Sequence, residues 1–335
     1  TERHLAELAN YQQEAGHEVT IMLRGSRCAS RINDPFLNWL NAGIKVVNAP
    51  KYWPFNRWPL WPIRWHLKSI KPDIIHTHHG RDSRYLAKAS AGKVPVVATL
   101  HMPYRAKDFS KHNGLICVSD WQLQDVPGVM QDSTVVIPNW VKPAKQITDA
   151  EREVLRGKIQ AKEGEFIIGM VGRLTRDKGV GELLEAFLHA EMSDCHLCIF
   201  GEGEMLPHLR EQAKTAQNPR VHLMGYNPDI RPWYHLFDLF VFPSHNETFG
   251  LVSVEAMTAG CPVITTKTKG AQDILKGNNQ VIWVDTNSPK ALIGAMREAR
   301  HYLGERWHFD ELERYDFNRA MENVLAFYKR YITKK

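Results

Sequence analysis

An α/β fold of two doubly wound parallel-sheet domains is what this sequence predicts, and three observations predict it. Short apolar runs rich in β-branched and aromatic residues are followed by helix-period segments along the chain, the order that builds parallel sheets with crossover helices. The 335 residues suffice for two domains, and 43% hydrophobic residues are enough for two cores. Between them, Pro138-Asn139-Trp140-Val141-Lys142-Pro143 reads as an extended linker.

The elements follow in order. In a first domain spanning residues 1–143, residues 94–100 form a strand ending at His101, and the strand before it ends in His76-Thr77-His78-His79-Gly80. Trp58, Trp61 and Trp65 recur at helical spacing, which fits a helix packed on its sheet. A second domain, residues 144–308, opens with a helix over 151–163 and a strand at Phe166–Val171. Residues 238–242 form a buried strand, ended by the turn residues Pro243-Ser244-His245-Asn246. Residues 251–259 are helical in pattern, Gly260 and Pro262 stop that helix, and Val263–Thr266 starts the next strand. A third segment, 309–335, carries a helical pattern from 309 to 332. There is no internal repeat and no low-complexity tract. The chain has no apolar run of about eighteen residues, so no spanning helix is predicted, and its opening residues do not read as a signal peptide.

Five cysteines, at 28, 117, 195, 198 and 261, are odd in number and scattered, which suits a reducing compartment better than a disulfide framework. Cys195 and Cys198 form a lone C-x-x-C inside an apolar strand and are read as core packing.

The most informative segment runs from 242 to 274. Glu247 stands in a loop, Phe249, Gly250, Leu251 and Val252 mark a helix start, and Glu255 follows eight residues after Glu247. A helix start offers unpaired backbone N–H groups and a partial positive charge, both of which favour a phosphate. Gly250 lets the backbone come close. Glu255, about one turn in, can accept two hydrogen bonds from a ribose diol, and Glu247 can do the same for sugar hydroxyls. Taken alone, the two carboxylates read as solvated surface residues; their context is what points to a sugar nucleotide.

That context repeats along the chain. Gly169-Met170-Val171-Gly172-Arg173 leads to Lys178-Gly179, Ile199-Phe200 leads to the Gly201-Glu202-Gly203 turn, and Val136-Ile137-Pro138-Asn139 and Thr99-Leu100-His101 fall in matching order. These motifs resemble the retaining glycosyltransferases of family 4, whose signature is E-x7-E and whose GT-B fold sets two Rossmann-like domains face to face. The resemblance covers nearly the whole chain and is more specific in the second half. It implies that Arg173 and Lys178, with Gly250, Leu251 and Val252, bind the donor diphosphate. It also implies that Glu255 binds the ribose, that Glu247 binds the donor sugar, and that His101 is the active-site histidine. His78, Gly172, Gly201 and Phe249 are placed along the same cleft, domain closure brings His101 toward Arg173 and Glu247, and the last helix crosses back to the first domain. His76, His78 and His79 read equally as hydrogen-bonded structural histidines.

The chemistry suits those roles. Breaking the anomeric C–O bond of a nucleotide sugar puts negative charge on the departing diphosphate, which two fixed cations and helix-end amides stabilise. No cofactor and no metal are expected, since no D-x-D stands at a strand end and no ligand set has metal spacing. Retention by front-face attack is what the resemblance implies, and no catalytic nucleophile is assigned.

Charge points to the acceptor. Residues 1–143 hold 18 of the 43 lysines and arginines but 11 of the 37 acids, so that domain carries the whole +6 excess. Tyr52, Trp53, Phe55, Trp58, Trp61 and Trp65 lie among Arg57, Arg64 and Lys68, a composition suited to an anionic membrane interface or to stacking on sugars. No nucleic-acid-binding motif accompanies it. The expectation is a peripheral enzyme at the cytoplasmic face, adding a hexose to a glycan or glycolipid acceptor of lipopolysaccharide type. A sugar-nucleotide epimerase of the same fold, distinguished by product formation without acceptor, and a non-catalytic sugar-nucleotide binder, distinguished by binding without turnover, are the other readings.

Four departures from the family pattern stand out. The opening resembles the family's first helix and second strand, so its first strand and Gly-Gly loop are expected ahead of residue 1, and a sheet without that strand exposes two strand edges. Trp140 stands where Gly often follows Pro-Asn, Lys269 replaces a usual Gly, and Asp273 replaces Glu.

Overall fold

A computed structural model describes residues 2–24, 35–49, 60–78, 80–142, 146–278 and 280–332. It contains two compact units, Thr1–Trp140 with Phe317–Lys335, and Val141–Asp316.

Among the described residues, the first unit holds two parallel sheets. Strands β1 (Thr20–Arg24) and β2 (Lys45–Ala49) pair with each other, and β3 (Ile75–Thr77), β4 (Val96–Leu100), β5 (Gly114–Cys117) and β6 (Thr134–Val136) form a second sheet in chain order. Its helices are α1 (Glu2–Glu14), α2 (Pro35–Asn38), α3 (Leu60–Ile70), α4 (Gly80–Ser90), α5 (Ala106–Phe109), α6 (Asp120–Asp125) and α7 (Gly128–Gln131). Strand β4 is buried along its length, as expected of a central parallel strand covered on both faces.

The second unit starts with α8 (Asp149–Lys158) and β7 (Phe166–Val171), and continues through α9 (Val180–His189), β8 (Cys195–Phe200), α10 (Leu206–Ala216) and β9 (Val221–Gly225). Next come α11 (Arg231–Leu236), β10 (Leu239–Phe242), α12 (Leu251–Thr258), β11 (Val263–Thr266), α13 (Lys269–Ile274), β12 (Ile282–Val284) and α14 (Pro289–Ala299). Its sheet is all parallel with order β12-β11-β10-β7-β8-β9. The chain therefore winds outward from β7 in one direction, then restarts at β10 and winds in the other. The loops leaving β7 and β10 flank the point where the direction switches, the place where open α/β sheets hold their ligands.

Local chemistry moves several element ends from their sequence-expected positions. Helix α8 begins two residues earlier than 151 because Thr148 and Glu151 form a reciprocal capping box, and it ends before 163 because Gln160 takes a left-handed φ of 55°. Asp238 is no strand residue: its carboxylate accepts the Ile167 amide at 2.9 Å, and β10 starts one residue later. Cys195 and Cys198 are wholly buried in β8, and burial pushes the Cys195 thiol up to about 12.

The expected boundaries at 143/144 and 308/309 stand at 140/141 and 316/317. Trp140 belongs to the first unit's core, whereas Val141 forms a parallel bridge with Asp316 and donates its amide to the Tyr315 carbonyl at 2.9 Å. The last helix, α15 (Phe317–Ile332), thus begins eight residues later than its pattern suggested, after a 3-10 turn at Leu312–Tyr315. Its Ala320, Met321, Val324, Phe327 and Tyr328 repeat at helical spacing and pack with Leu8, Val97, Ile116, Ile137 and Trp140 of the first unit.

A second correction concerns α3. Ile63 alone is fully buried there, while Trp61 and Trp65 are 71% and 63% exposed, so these tryptophans do not pack the helix on its sheet. Tyr52, Trp53, Phe55, Arg57 and Trp58 lie outside the described residues.

Candidate active site

The loop after β7 is locked to the loop after β10. Gly179, at φ 66°, lies so close to Pro243 that a Cβ would stand 2.1 Å from its carbonyl oxygen. The Asp177 carbonyl accepts the His245 amide at 2.8 Å and the Ser244 hydroxyl at 3.1 Å. Across this seam Lys178 Nζ donates to Glu247 Oε2 at 2.7 Å, and the two side chains are only 11% and 18% exposed. The Lys178 ammonium also lies 5.7 Å from the centre of the Phe242 ring, within cation–π range.

Glu247 is held from its other side as well. The Gly270 amide, at the start of α13, donates to the Glu247 carbonyl at 3.1 Å, and a Cβ on Gly270 would come within 2.7 Å of the Phe249 nitrogen. Thr268 caps the same helix by accepting the Ala271 amide at 3.3 Å. Gly270 escaped the sequence reading, although a cap residue two positions before a glycine was a usable signal.

Gly250 takes φ 94° as the N-cap of α12, and Leu251 and Val252 then supply first-turn amides that have no acceptor inside the helix. The Phe249 ring is buried, edge-on to Tyr315 at 5.9 Å, and anchors the loop. Glu255, one turn into α12, is half-buried and accepts the Tyr234 hydroxyl at 2.8 Å. No sequence motif announced Tyr234, which comes from α11; burial first, then the Glu255 charge, keeps its phenol protonated.

Gly172 and Gly201 form the second close approach, since a Cβ on Gly201 would stand 1.8 Å from the Gly172 carbonyl oxygen. Arg173 is exposed beside them. The Thr175 hydroxyl is the largest influence lowering the Asp177 carboxyl, with Lys178 and Arg173 adding to it. The structure thus joins Lys178 with Glu247 and Gly172 with Gly201, and sets Glu255 with Tyr234.

In the first unit, His78 follows β3 and His101 follows β4, and both line one hollow with His4, Thr99, Asn139 and Trp140. His79 lies outside the described residues. Among the described residues, no group of three or more His, Cys, Asp or Glu is placed to hold a metal, and no helix is long and apolar enough to cross a membrane.

Two parallel-sheet α/β units, the second with its switch point between β7 and β10, have the GT-B fold found in glycosyltransferases. Residues 1–145 match the family model described as Glycosyltransferase Family 4, and residues 151–305 match Glycosyl transferases group 1. Together these two glycosyltransferase models span nearly the whole chain, one in each half. An uncharacterized glycosyltransferase of Methanocaldococcus jannaschii is 28% identical over 59% of this chain and 54% of its own length. The lipopolysaccharide core biosynthesis glycosyltransferase LpsE of Rhizobium meliloti is 24% identical over 92% of this chain and 89% of its own. The match to CapM of Staphylococcus aureus, at 35% identity, covers 38% of this chain and 34% of that protein. Among solved structures, a glycosyltransferase from Rickettsia africae superposes with a TM-score of 0.80 at 20% identity, covering 100% of this chain and 95% of that one. Anabaena HepE in complex with UDP-glucose gives 0.78 at 18% identity, covering 97% and 94%.

Proposed function

We propose that this protein transfers a hexosyl unit from a nucleoside-diphosphate sugar to a hydroxyl of a glycan or glycolipid acceptor of lipopolysaccharide type, with retention and without a metal ion. The observation that carries this reading is the Lys178–Glu247 pair at 2.7 Å beside the start of α12, at the sheet's switch point. Lys178, Arg173 and the first amides of α12 face the charge that grows on the diphosphate as the anomeric C–O bond breaks and its electron pair stays on the phosphate oxygen. Glu247 and Glu255 accept hydrogen bonds from sugar and ribose hydroxyls, and His101 contacts the donor sugar. The acceptor oxygen forms the new bond on the face the diphosphate leaves, and its proton passes to the departing phosphate oxygen. A carboxylate tied to an ammonium is a weak nucleophile, so Glu247 serves as a hydrogen-bond acceptor and not as a covalent carrier.

HepE, whose structure holds UDP-glucose, supports a nucleotide-sugar donor, and LpsE, named for lipopolysaccharide core synthesis, supports the acceptor class. The exposed face of α3, with Trp61, Arg64, Trp65 and Lys68 at helical spacing, supports peripheral contact with an anionic membrane.

Thermal shifts against UDP-, GDP- and ADP-glucose test the donor, because a ligand at a hundred times its Kd adds about 2.7 kcal/mol to the folded state. No shift with any of them overturns the reading. A shift that survives both Glu247→Ala and Glu255→Ala overturns the site.

A further inference from the structure

Strands β3 and β4 pair in parallel with Thr77 opposite Ala98, so both deliver a histidine at the same end of the sheet. His78 Nδ1 and His101 Nε2 stand 3.2 Å apart, and their rings lie nearly parallel, 21° between planes with centroids 5.5 Å apart. Two imidazole nitrogens at that distance bond only when one carries a hydrogen and the other a lone pair, so the contact couples the tautomers of the two rings.

His78 is itself backed by a fixed ring. His76 packs against it with centroids 4.3 Å apart, bonds the Tyr328 hydroxyl through Nδ1, and bonds the Thr99 hydroxyl through Nε2 at 2.8 Å. Tyr328 comes from α15 and accepts from the Gln12 amide of α1 at 3.0 Å. Burial lowers His76 to about 3, so that ring stays neutral and adds no charge beside the pair.

We propose that His78 is a positioning residue for His101, holding its imidazole in one tautomer and one orientation, with His76 and Tyr328 as the rigid backing. The other nitrogen of His101, Nδ1, then has one defined hydrogen-bonding character. That His101 meets a donor-sugar hydroxyl rests on the proposed function; the pairing does not.

Two-bond 1H–15N spectra of the histidine rings between pH 7 and 8 test the pairing without any substrate. His101 in a single neutral tautomer in the unaltered protein, with converging ring nitrogen shifts in His78→Phe, is the expected result. Both tautomers of His101 populated in the unaltered protein overturns the proposal, and this reading needs no variant to fold. Unchanged His101 shifts in a folded His78→Phe overturns it as well. A single tautomer in a protein that binds no nucleotide sugar sinks the function and leaves the pairing standing.

Discussion

Gly201 and Gly172 approach so closely that a methyl group on the first would stand 1.8 Å from the carbonyl oxygen of the second. The obstacle is backbone and cannot rotate away, and Gly201 also holds φ 134°, a conformation side chains rarely adopt. Gly201→Ala is therefore expected to cost about 3 kcal/mol or more. Gly164→Ala supplies the comparison, since Gly164 has φ 78° but open space around it, and is expected to cost about 1 kcal/mol. Urea midpoints of the two variants decide this; equal losses would show that the close approach carries no energy.

Lys178 and Glu247 are expected to separate by ligand. Lys178→Met removes the cation proposed to meet the diphosphate and should weaken the free nucleoside diphosphate and the nucleotide sugar alike, each by about 10- to 100-fold. Glu247→Gln should weaken the nucleotide sugar by a similar factor and leave the free diphosphate within about threefold. Calorimetric titration of each variant with UDP and UDP-glucose, or the nucleotide giving the largest thermal shift, reads the difference. Equal losses on both ligands in Glu247→Gln would remove the sugar role.

Tyr234 is expected to matter through Glu255. Its hydroxyl donates to that carboxylate at 2.8 Å, so Tyr234→Phe should weaken nucleoside-diphosphate binding about threefold to tenfold by letting the carboxylate turn. The same variant with Glu255→Gln should show less than the product of the two effects. Full additivity in that double-mutant cycle would separate the residues.

Stability should fall in mild acid. Burial lowers His4 and His76 to about 3, whereas the unfolded chain titrates near the ordinary value of 6.5. Between 6.5 and about 3 the unfolded state binds the extra protons, so stability is full above pH 6.5 and drops as pH falls, by about 1.4 kcal/mol per pH unit for each such histidine. Glu165, lowered to about 2, contributes only below its ordinary 4.5 and leaves the pH 6.5 to 5 interval to the histidines. Denaturation midpoints at pH 7.5 and 5.5 check this. A flat profile would mean that these rings are solvated.

The exposed tryptophans of α3 predict vesicle binding. Trp61→Ala with Trp65→Ala, and separately Arg64→Glu with Lys68→Glu, should each reduce flotation on vesicles containing anionic lipid, the charge pair by about 1 kcal/mol per cation removed. Flotation that does not respond to anionic lipid would exclude this face as a membrane contact.

Much of the second unit was legible because its chemistry is local. A glycine with positive φ ahead of a helix, a cation pair after one strand and two carboxylates after another are recorded within short windows, and the fold keeps them there. What was not legible depends on contacts across long separations. Tyr234 reaches Glu255 from another helix, Gly270 meets Glu247 through a backbone hydrogen bond, and Phe249 turns inward to a Tyr315 far along the chain. The tryptophans of α3 left two readings open for the opposite reason: helical spacing states which residues share a face, and only the neighbouring elements decide which face is covered. The first unit's two-plus-four sheet arrangement was likewise invisible to periodicity, which reports a strand but not its partner.

The placement of α15 sets an order of assembly. Its apolar face completes the core formed by Leu8, Val97, Ile116 and Trp140, although some 170 residues of the second unit separate it from them in the chain. During synthesis the second unit, being contiguous, can close as soon as it emerges. The first unit, begun earlier, keeps an open apolar face until α15 has emerged as well.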